Sequence, residues 1–317
     1  MPHENKAWVS FCISTYKRPQ ILEKQLQLLA KQTFADFEVV VSDNDPEASA
    51  KDVVLNMKDS RFKYYSNEVN LGMIKSFNKS IDRANTEFVV MITDDDPLEI
   101  NFLEVCHGLY DSYPGYSAYC GFLRNNKKEA VIEIIPKGEF ITEILDPRKT
   151  INQLWSSAVL RKADAVAVGL IPDYGAPHLS DHAFIAKVGN VNGGVVINKM
   201  FGKFSSHESN FSKSNFSNYV IGCKGFYESV MAGVDQLNIT KTEKVVIKHL
   251  SSWFIANYFL LKKYYTVSHK DTAMLGELDT CAAQILNYKF MSQLKTKFIF
   301  KNIVFWLKVK LKLPGAK

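Results

Sequence analysis

Two hydrophobic rhythms alternate along the first hundred residues. Trp8 to Ser14 (WVSFCIS) is a short β-rich run that Thr15-Tyr16-Lys17-Arg18-Pro19 interrupts. Apolar positions then recur at Ile21, Leu22, Leu26 and Leu29, a helical spacing. Phe37 to Val41 is apolar apart from its glutamate, as expected of a strand buried on both faces of a parallel sheet, and it ends in the loop Ser42-Asp43-Asn44-Asp45-Pro46. Ala50 to Met57 reads as helix, Phe62 to Tyr65 as extended, Met73 to Ala84 as helix and Phe88 to Ile92 as a further apolar strand. The predicted order is β-α-β-α-β-α-β.

Such alternation implies an α/β fold with a mostly parallel sheet, helices on both faces, and ligands at the carboxyl ends of the strands. Three strand ends carry Thr15-Tyr16, Asp43-Asn44 and Asp94-Asp95-Asp96, so polar groups converge on one edge. No glycine-rich phosphate loop follows the first strand, which disfavours dinucleotide binding and P-loop chemistry.

Beyond Pro114 the pattern loosens. Tyr116 to Leu123 and Ala130 to Ile135 read as strands, followed by a helical stretch from Pro147 through Trp155. The polar loop Asp173 to Ser180 precedes a helix that Ser180 caps, and Gly202 to Asn218 reads as a polar loop or lid. From Tyr219 onward the chain reads as helical. The expected organisation is 1–218, with a donor half of about 1–115 and an acceptor half of about 116–218, then a helical extension at 219–317.

Composition narrows the class. With 317 residues, 46% of them hydrophobic and 23% charged, the chain is an ordinary globular one. No apolar run is long enough to span a bilayer, and the start lacks a basic segment followed by an apolar one, so the cytoplasm is the expected location. Five scattered cysteines, none in a C-x-x-C pair, read as reduced core thiols. The net charge of +6 is concentrated in residues 291–317, which hold seven lysines and no acid. A nucleic-acid groove is therefore not expected. An anionic membrane surface is.

Three successive carboxylates at Asp94-Asp95-Asp96 repel one another unless a cation or a proton compensates. Two readings stand on the triplet alone: a site for Mg²⁺ or Mn²⁺ completed by substrate phosphates, and a solvated acidic turn capping the next helix.

Context favours the first. The run from Val9 to Arg18, Gln32-Thr33-Phe34, Phe37 to Asn44, Asn70-Leu71-Gly72 with Asn78, and Thr93 to Asp96 closely resembles the GT-A-fold, family 2 inverting glycosyltransferases of bacterial surface-polysaccharide type. Weaker resemblance continues through Leu154 to Arg161 and Leu179-Ser180-Asp181. It implies a GT-A sheet flanked by helices and transfer of a sugar from a nucleotide-diphosphate donor, a UDP-sugar foremost, to a hydroxyl of a glycan or lipid-linked glycan.

The resemblance also implies site residues. Thr15, Tyr16, Arg18, Asp43, Asn44, Gly72, Lys75, Asn78 and Asp94 would surround the nucleotide sugar, with Asp43 accepting from a uracil N–H; the other reading of Asp43 is a loop residue making an Asx-turn toward Pro46. Asp95, Asp96 and His207 would serve the metal, although a literal Asp-x-Asp reading uses Asp94 with Asp96. Relatives carry an arginine where Phe77 stands here, leaving Lys75 or a lysine of the 199–213 loop to meet the diphosphate. Asp181 aligns with the base that deprotonates the acceptor hydroxyl; its other reading is a helix cap. Trp155, Tyr174 and His178 are candidates for the acceptor.

In the tail, Lys297, Lys301, Lys308 and Lys312 share one helical face within about 60°. An interfacial helix on the inner face of the plasma membrane and an oligomerisation helix are both compatible with that pattern, and Leu307 to Leu313 also alternates like a strand. Two rival functions share the same features: a sugar nucleotidyltransferase, and a glycan-binding scaffold with a degenerate site.

Overall fold

In the computed structural model, which describes residues 7–203 and 215–311, the apolar runs are strands and the periodic segments helices. The donor half runs β1 (Val9–Thr15), α1 (Pro19–Leu29), β2 (Phe37–Asp43), α2 (Lys51–Asn56), β3 (Phe62–Ser66), α3 (Met73–Arg83), β4 (Phe88–Met91) and α4 (Phe102–Ser112). There follow β5 (Ala118–Gly121), β6 (Leu123–Arg124), β7 (Ile132–Ile135), α5 (Phe140–Ile144), β8 (Thr150–Asn152), β9 (Ala158–Arg161), α6 (Lys162–Ala167), α7 (Ser180–Asn192) and β10 (Gly194–Ile197). The remaining helices are α8 (Ser217–Met231), α9 (Ile239–Lys263), α10 (Thr272–Asn287) and α11 (Lys295–Lys310).

Eight strands form one sheet in the order β3-β2-β1-β4-β9-β5-β10-β7. The pairs among β3, β2, β1 and β4 are parallel, as is β5 with β10, whereas β9 and β7 run antiparallel to their neighbours. Every residue of β2 and β4 is buried. Alternation across the pleat explains why: Phe11, Ile13, Val39 and Val41 pack with Leu22 and Leu26 of α1, while Cys12, Val40 and Met91 pack with Ile74 and Phe77 of α3. Strands β2 and β3 lie on one side of β1 and β4 on the other, so the order reverses between β1 and β4. In open α/β sheets the crevice at the carboxyl ends of such a pair takes ligands.

One expected element differs. The stretch expected to be helical between Pro147 and Trp155 is instead β8, paired with β6, followed by a single 3₁₀ turn at Trp155–Ser157. The Asp146 carboxylate accepts from the Arg148 backbone N–H at 3.0 Å, a local bond that competes with helix, and β-branched Thr150 and Ile151 suit the pleat. The strand alternation seen at the end of the chain is likewise overridden, because α11 is helical through Lys310.

The described residues form two compact units, 7–173 with 180–203 and 174–179 with 215–311. The first holds the sheet and α1–α7, the second α8–α11. Residues 174–179, expected within the acceptor half, belong to the second unit. All five cysteines are free and buried. Among the described residues no helix is long and apolar enough to cross a membrane.

Candidate active site

The crevice between β1 and β4 is built by a turn that the sequence makes locally. Lys17 takes a left-handed conformation (φ 54°), which reverses the chain as it leaves β1. Arg18 follows as the cap residue of α1, its carbonyl accepting from Ile21 and Leu22 at 3.1 and 3.0 Å, and Pro19 starts the helix with its φ already set. The turn aims the Arg18 guanidinium at the aspartates that follow β4.

There one guanidinium bridges two carboxylates. Arg18 Nη2 donates to Asp94 Oδ1, and Arg18 Nη1 lies 3.2 Å from Asp95 Oδ2. Thr15, the last residue of β1, donates its hydroxyl to Asp94 Oδ2 at 2.8 Å. Asp94 is wholly buried and Asp95 partly exposed. Burial pushes the Asp94 carboxyl up to about 6, against the opposing pull of Arg18 and of the Thr15 hydroxyl. Asp96 is buried, and its backbone carbonyl accepts from Gln25 Nε2 at 3.0 Å.

Among the described residues no three His, Cys, Asp or Glu side chains converge as a metal-binding group. What the site offers is two carboxylates, Asp94 and Asp95, meeting one cation. That donor set suits Mg²⁺ or Mn²⁺, which bind through one or two carboxylates plus substrate phosphates and water. His207 lies outside the described residues.

The second aspartate of the site is held differently. Asp43 is wholly buried at the end of β2, beside Thr15 in the register. Its Oδ1 accepts from the Asp45 N–H at 3.0 Å, and its Oδ2 from the Ala50 N–H at 2.9 Å and from the Tyr64 hydroxyl at 3.0 Å. A carboxylate has about four acceptor positions, so three bonds leave capacity for one more donor.

Asn44 orders the neighbouring loop. Its amide donates to Asn70 Oδ1 at 2.7 Å, and its oxygen accepts from the Leu71 N–H at 2.9 Å. Gly72 (φ 78°) then opens α3, a backbone conformation that suits glycine. Below it lies a buried polar network absent from the sequence-based expectations. Asn67 Nδ2 donates to Ser42, Asn44 and Ser76 at 3.3, 3.2 and 3.2 Å, and Arg83 donates to Ser42 and Asn67 at 3.0 Å each. The available signal was Ser76, Ser80 and Arg83 at four- and three-residue spacing on α3, a polar stripe within an otherwise apolar inner face.

Several expected ligand residues are engaged elsewhere. The Asn78 amide donates to the Ile171 carbonyl at 2.9 Å and accepts from the Ile171 N–H at 3.0 Å, a clamp that uses both ends of the side chain in place of the nucleotide contact expected of it. Trp155 is buried in the core, its ring 4.7 Å from that of Phe77, rather than open to a sugar. His178 is buried in the second unit, 4.5 Å from the Tyr219 ring, and the Tyr174 hydroxyl donates to the His178 carbonyl at 2.7 Å. A Cβ at Gly225 would come within 2.2 Å of Tyr174, so that ring packs directly on α8. Tyr16 and Lys75 are exposed. Asp181 stands in the first turn of α7, about a third exposed, with one oxygen 3.8 Å from His182 Nε2.

Residues 10–165 match the model described as glycosyl transferase family 2. Over 93 residues the chain is 36% identical to a GalNAc(5)-diNAcBac-PP-undecaprenol beta-1,3-glucosyltransferase of Campylobacter jejuni, covering 28% of this chain and 30% of that one. It is 33% identical over 109 residues to the abequosyltransferase RfbV of Salmonella typhimurium, covering 33% of each. The chain thus spans about a third of the length of these curated relatives. Among solved structures, S. aureus TarS 1-349 superposes with a TM-score of 0.58 at 16% identity, over 88% of this chain and 80% of that one. The mannosyltransferase PcManGT from Pyrobaculum calidifontis, in complex with GDP-Man and Mn²⁺, gives 0.55 at 13% identity, over 93% and 85%. At such identities the likeness is one of fold, a GT-A-like sheet flanked by helices.

Proposed function

We propose, from the match of residues 10–165 to glycosyl transferase family 2, that the chain transfers a sugar, with inversion, from a UDP-sugar to a hydroxyl of a lipid-linked glycan. The setting would be assembly of a bacterial surface polysaccharide on the cytoplasmic side of the membrane. The observation that carries the reading is the convergence of Thr15, Arg18, Asp94 and Asp95 at the carboxyl ends of β1 and β4.

Asp94 and Asp95 would hold Mn²⁺ or Mg²⁺, whose chemistry is to neutralise charge on the departing diphosphate. Support comes from the donor set and from the Mn²⁺ and GDP-Man in a neighbour of the same fold. Arg18 supplies the cation that these carboxylates otherwise lack, and its guanidinium fork also matches phosphate oxygens. Its task is to release the carboxylates and meet the diphosphate when donor arrives. Asp43 and Asn44 shape the wall that receives the base, and exposed Tyr16 offers its ring. Asp181, in the first turn of α7, takes the proton of the acceptor hydroxyl as that oxygen attacks the anomeric carbon.

A thermal-shift screen of nucleotide sugars with and without Mn²⁺ tests the donor assignment, because a ligand bound only by the folded state raises its apparent stability. Stabilisation by a UDP-sugar that needs the metal is expected; none from any nucleotide sugar would overturn it. Replacing Asp181 by Asn should lower turnover by about 10²- to 10⁴-fold while leaving donor affinity unchanged, as read by initial rates and calorimetry.

A further inference from the structure

We propose that the outward face of α11 binds an anionic lipid surface. One side of this helix is fixed to its own unit. Phe298 lies 5.5 Å from the Phe254 ring and 4.7 Å from Tyr258, and Phe305 lies 5.9 Å from Phe259. Lys262, almost wholly buried, donates to the Tyr258 hydroxyl at 2.7 Å and to Asp279 at 3.0 Å, and its ammonium sits 5.4 Å from the Trp306 ring. A desolvated cation against an aromatic face is a favourable contact, and it holds α11 to α9 and α10.

The opposite side carries large apolar side chains into solvent. Ile299, Phe300, Ile303, Leu307 and Leu311 are each more than half exposed. At about 100° per residue these five fall within an arc of roughly 120°. Lys297, Lys301 and Lys308 form a second stripe, about 40° wide, beside that arc. Lys310, also exposed, interrupts the arc near its C-terminal end, and an apolar band so flanked and tipped by lysines marks a surface that something covers.

Charge decides what covers it. Residues 291–317 contain seven lysines and no acid. A second copy docking antiparallel and face to face would bring the same lysine stripe against this one, and in either orientation seven further lysines with no acid would join the interface region, a like-charge juxtaposition that is costly. An anionic lipid surface supplies the opposite sign, accepts the apolar band below its headgroups and lets the lysine stems lie along it with their ammonium groups in the polar layer. This inference needs neither donor nor acceptor, so it can fail while the glycosyl-transfer reading stands, and the reverse.

The test is co-sedimentation of the full chain with vesicles of phosphatidylcholine alone and of equal parts phosphatidylcholine and phosphatidylglycerol, without nucleotide. Binding to the anionic vesicles only, weakened by salt, is expected. The combined Lys297→Glu, Lys301→Glu and Lys308→Glu variant should partition at least about a hundredfold more weakly, since loss of three lysines alone, at about 1 kcal/mol each near a charged surface, accounts for that much. Phe300→Asp with Leu307→Asp should also release the protein. All five positions are exposed, so thermal melts should match the parent chain. Equal binding to both vesicle types, or affinity unchanged in the lysine variant, overturns the proposal. Sedimentation velocity showing a dimer that Phe300→Asp with Leu307→Asp dissociates, with no vesicle binding by the parent, assigns the face to a second copy instead.

Discussion

Asp43 and Asp94 are both wholly buried aspartates near the carboxyl ends of strands in one sheet, yet they are satisfied by different kinds of partner. Asp43 is held by two backbone N–H groups and a tyrosine hydroxyl, Asp94 by a threonine hydroxyl and the partly exposed side chain of Arg18. Backbone donors cannot leave without unfolding the loop, whereas a long side chain can swing away with the backbone intact, provided another cation takes its place. The difference teaches which buried charge is scaffold and which is exchangeable. Asp43 ties β2 to the segment that opens α2. Asp94 takes its counter-charge from a side chain alone, which is what the proposed exchange for a metal requires.

The largest expected effect breaks the comparison at its functional side. If Asp94 holds the metal as proposed, Asp94→Asn should lower transfer by several orders of magnitude, measured by initial rates with saturating donor and Mn²⁺, because the leaving group would then lose much of its charge compensation. Its melting temperature at neutral pH should stay at or above that of the parent, since the amide no longer buries a charge. A large fall in melting temperature would place Asp94 with the scaffold.

Next comes the scaffold side. Asp43→Ala leaves three donors facing a buried void, and at about 1–3 kcal/mol for an unsatisfied buried group the loss should be at least about 3 kcal/mol. Denaturant melts read it directly, and an unchanged midpoint would contradict the structural role given to Asp43.

A smaller effect concerns exchange. In Arg18→Gln the competing cation is gone, so Mn²⁺ measured by calorimetry without nucleotide should bind about tenfold more tightly, in line with the usual ~1.5–3 kcal/mol of a charge-assisted hydrogen bond. Donor affinity should fall in the same variant. Equal Mn²⁺ affinity in both proteins would mean that Arg18 does not compete for the site.

The smallest effect is a pH dependence of the metal-free protein. The Asp94 carboxyl sits at about 6 in the folded chain against an ordinary 3.8, so the folded state holds its proton more tightly than the unfolded one. Its contribution to stability is therefore greatest below pH 3.8, declines as pH rises toward 6 and levels off above. The Asp94→Asn variant should lack that slope in chemical melts across the same range. A slope identical to the parent's would assign it to another group.

Much of the fold was legible because its signals are local. Apolar runs at Phe37–Val41 and Phe88–Ile92 report burial on both faces, and Ser180 before an apolar stretch reports a helix start; all three correspond to observed elements. The stretch at Pro147–Trp155 failed because strand pairing with β6, a tertiary contact, outweighed local helix tendency. At the candidate site, residue types and strand ends were readable, but their employment was not. Asn78 matched a family position and proved to clamp Ile171, and Trp155 resembled an acceptor platform and proved to be core.

The chain read alone yields an alternating α/β order, a motif succession resembling glycosyl transferase family 2, a row of carboxylates after the fourth strand and a basic apolar tail, because periodicity, motif order and charge are written along it. What needed the folded structure is that Arg18 faces Asp94 and Asp95, that Asp43, besides its local turn, accepts from the Tyr64 hydroxyl, and that α11 turns its apolar side chains outward. Hydrogen bonds and packing choose partners by distance in space, and Thr15 and Asp94 stand 79 residues apart in sequence yet 2.8 Å apart in the fold.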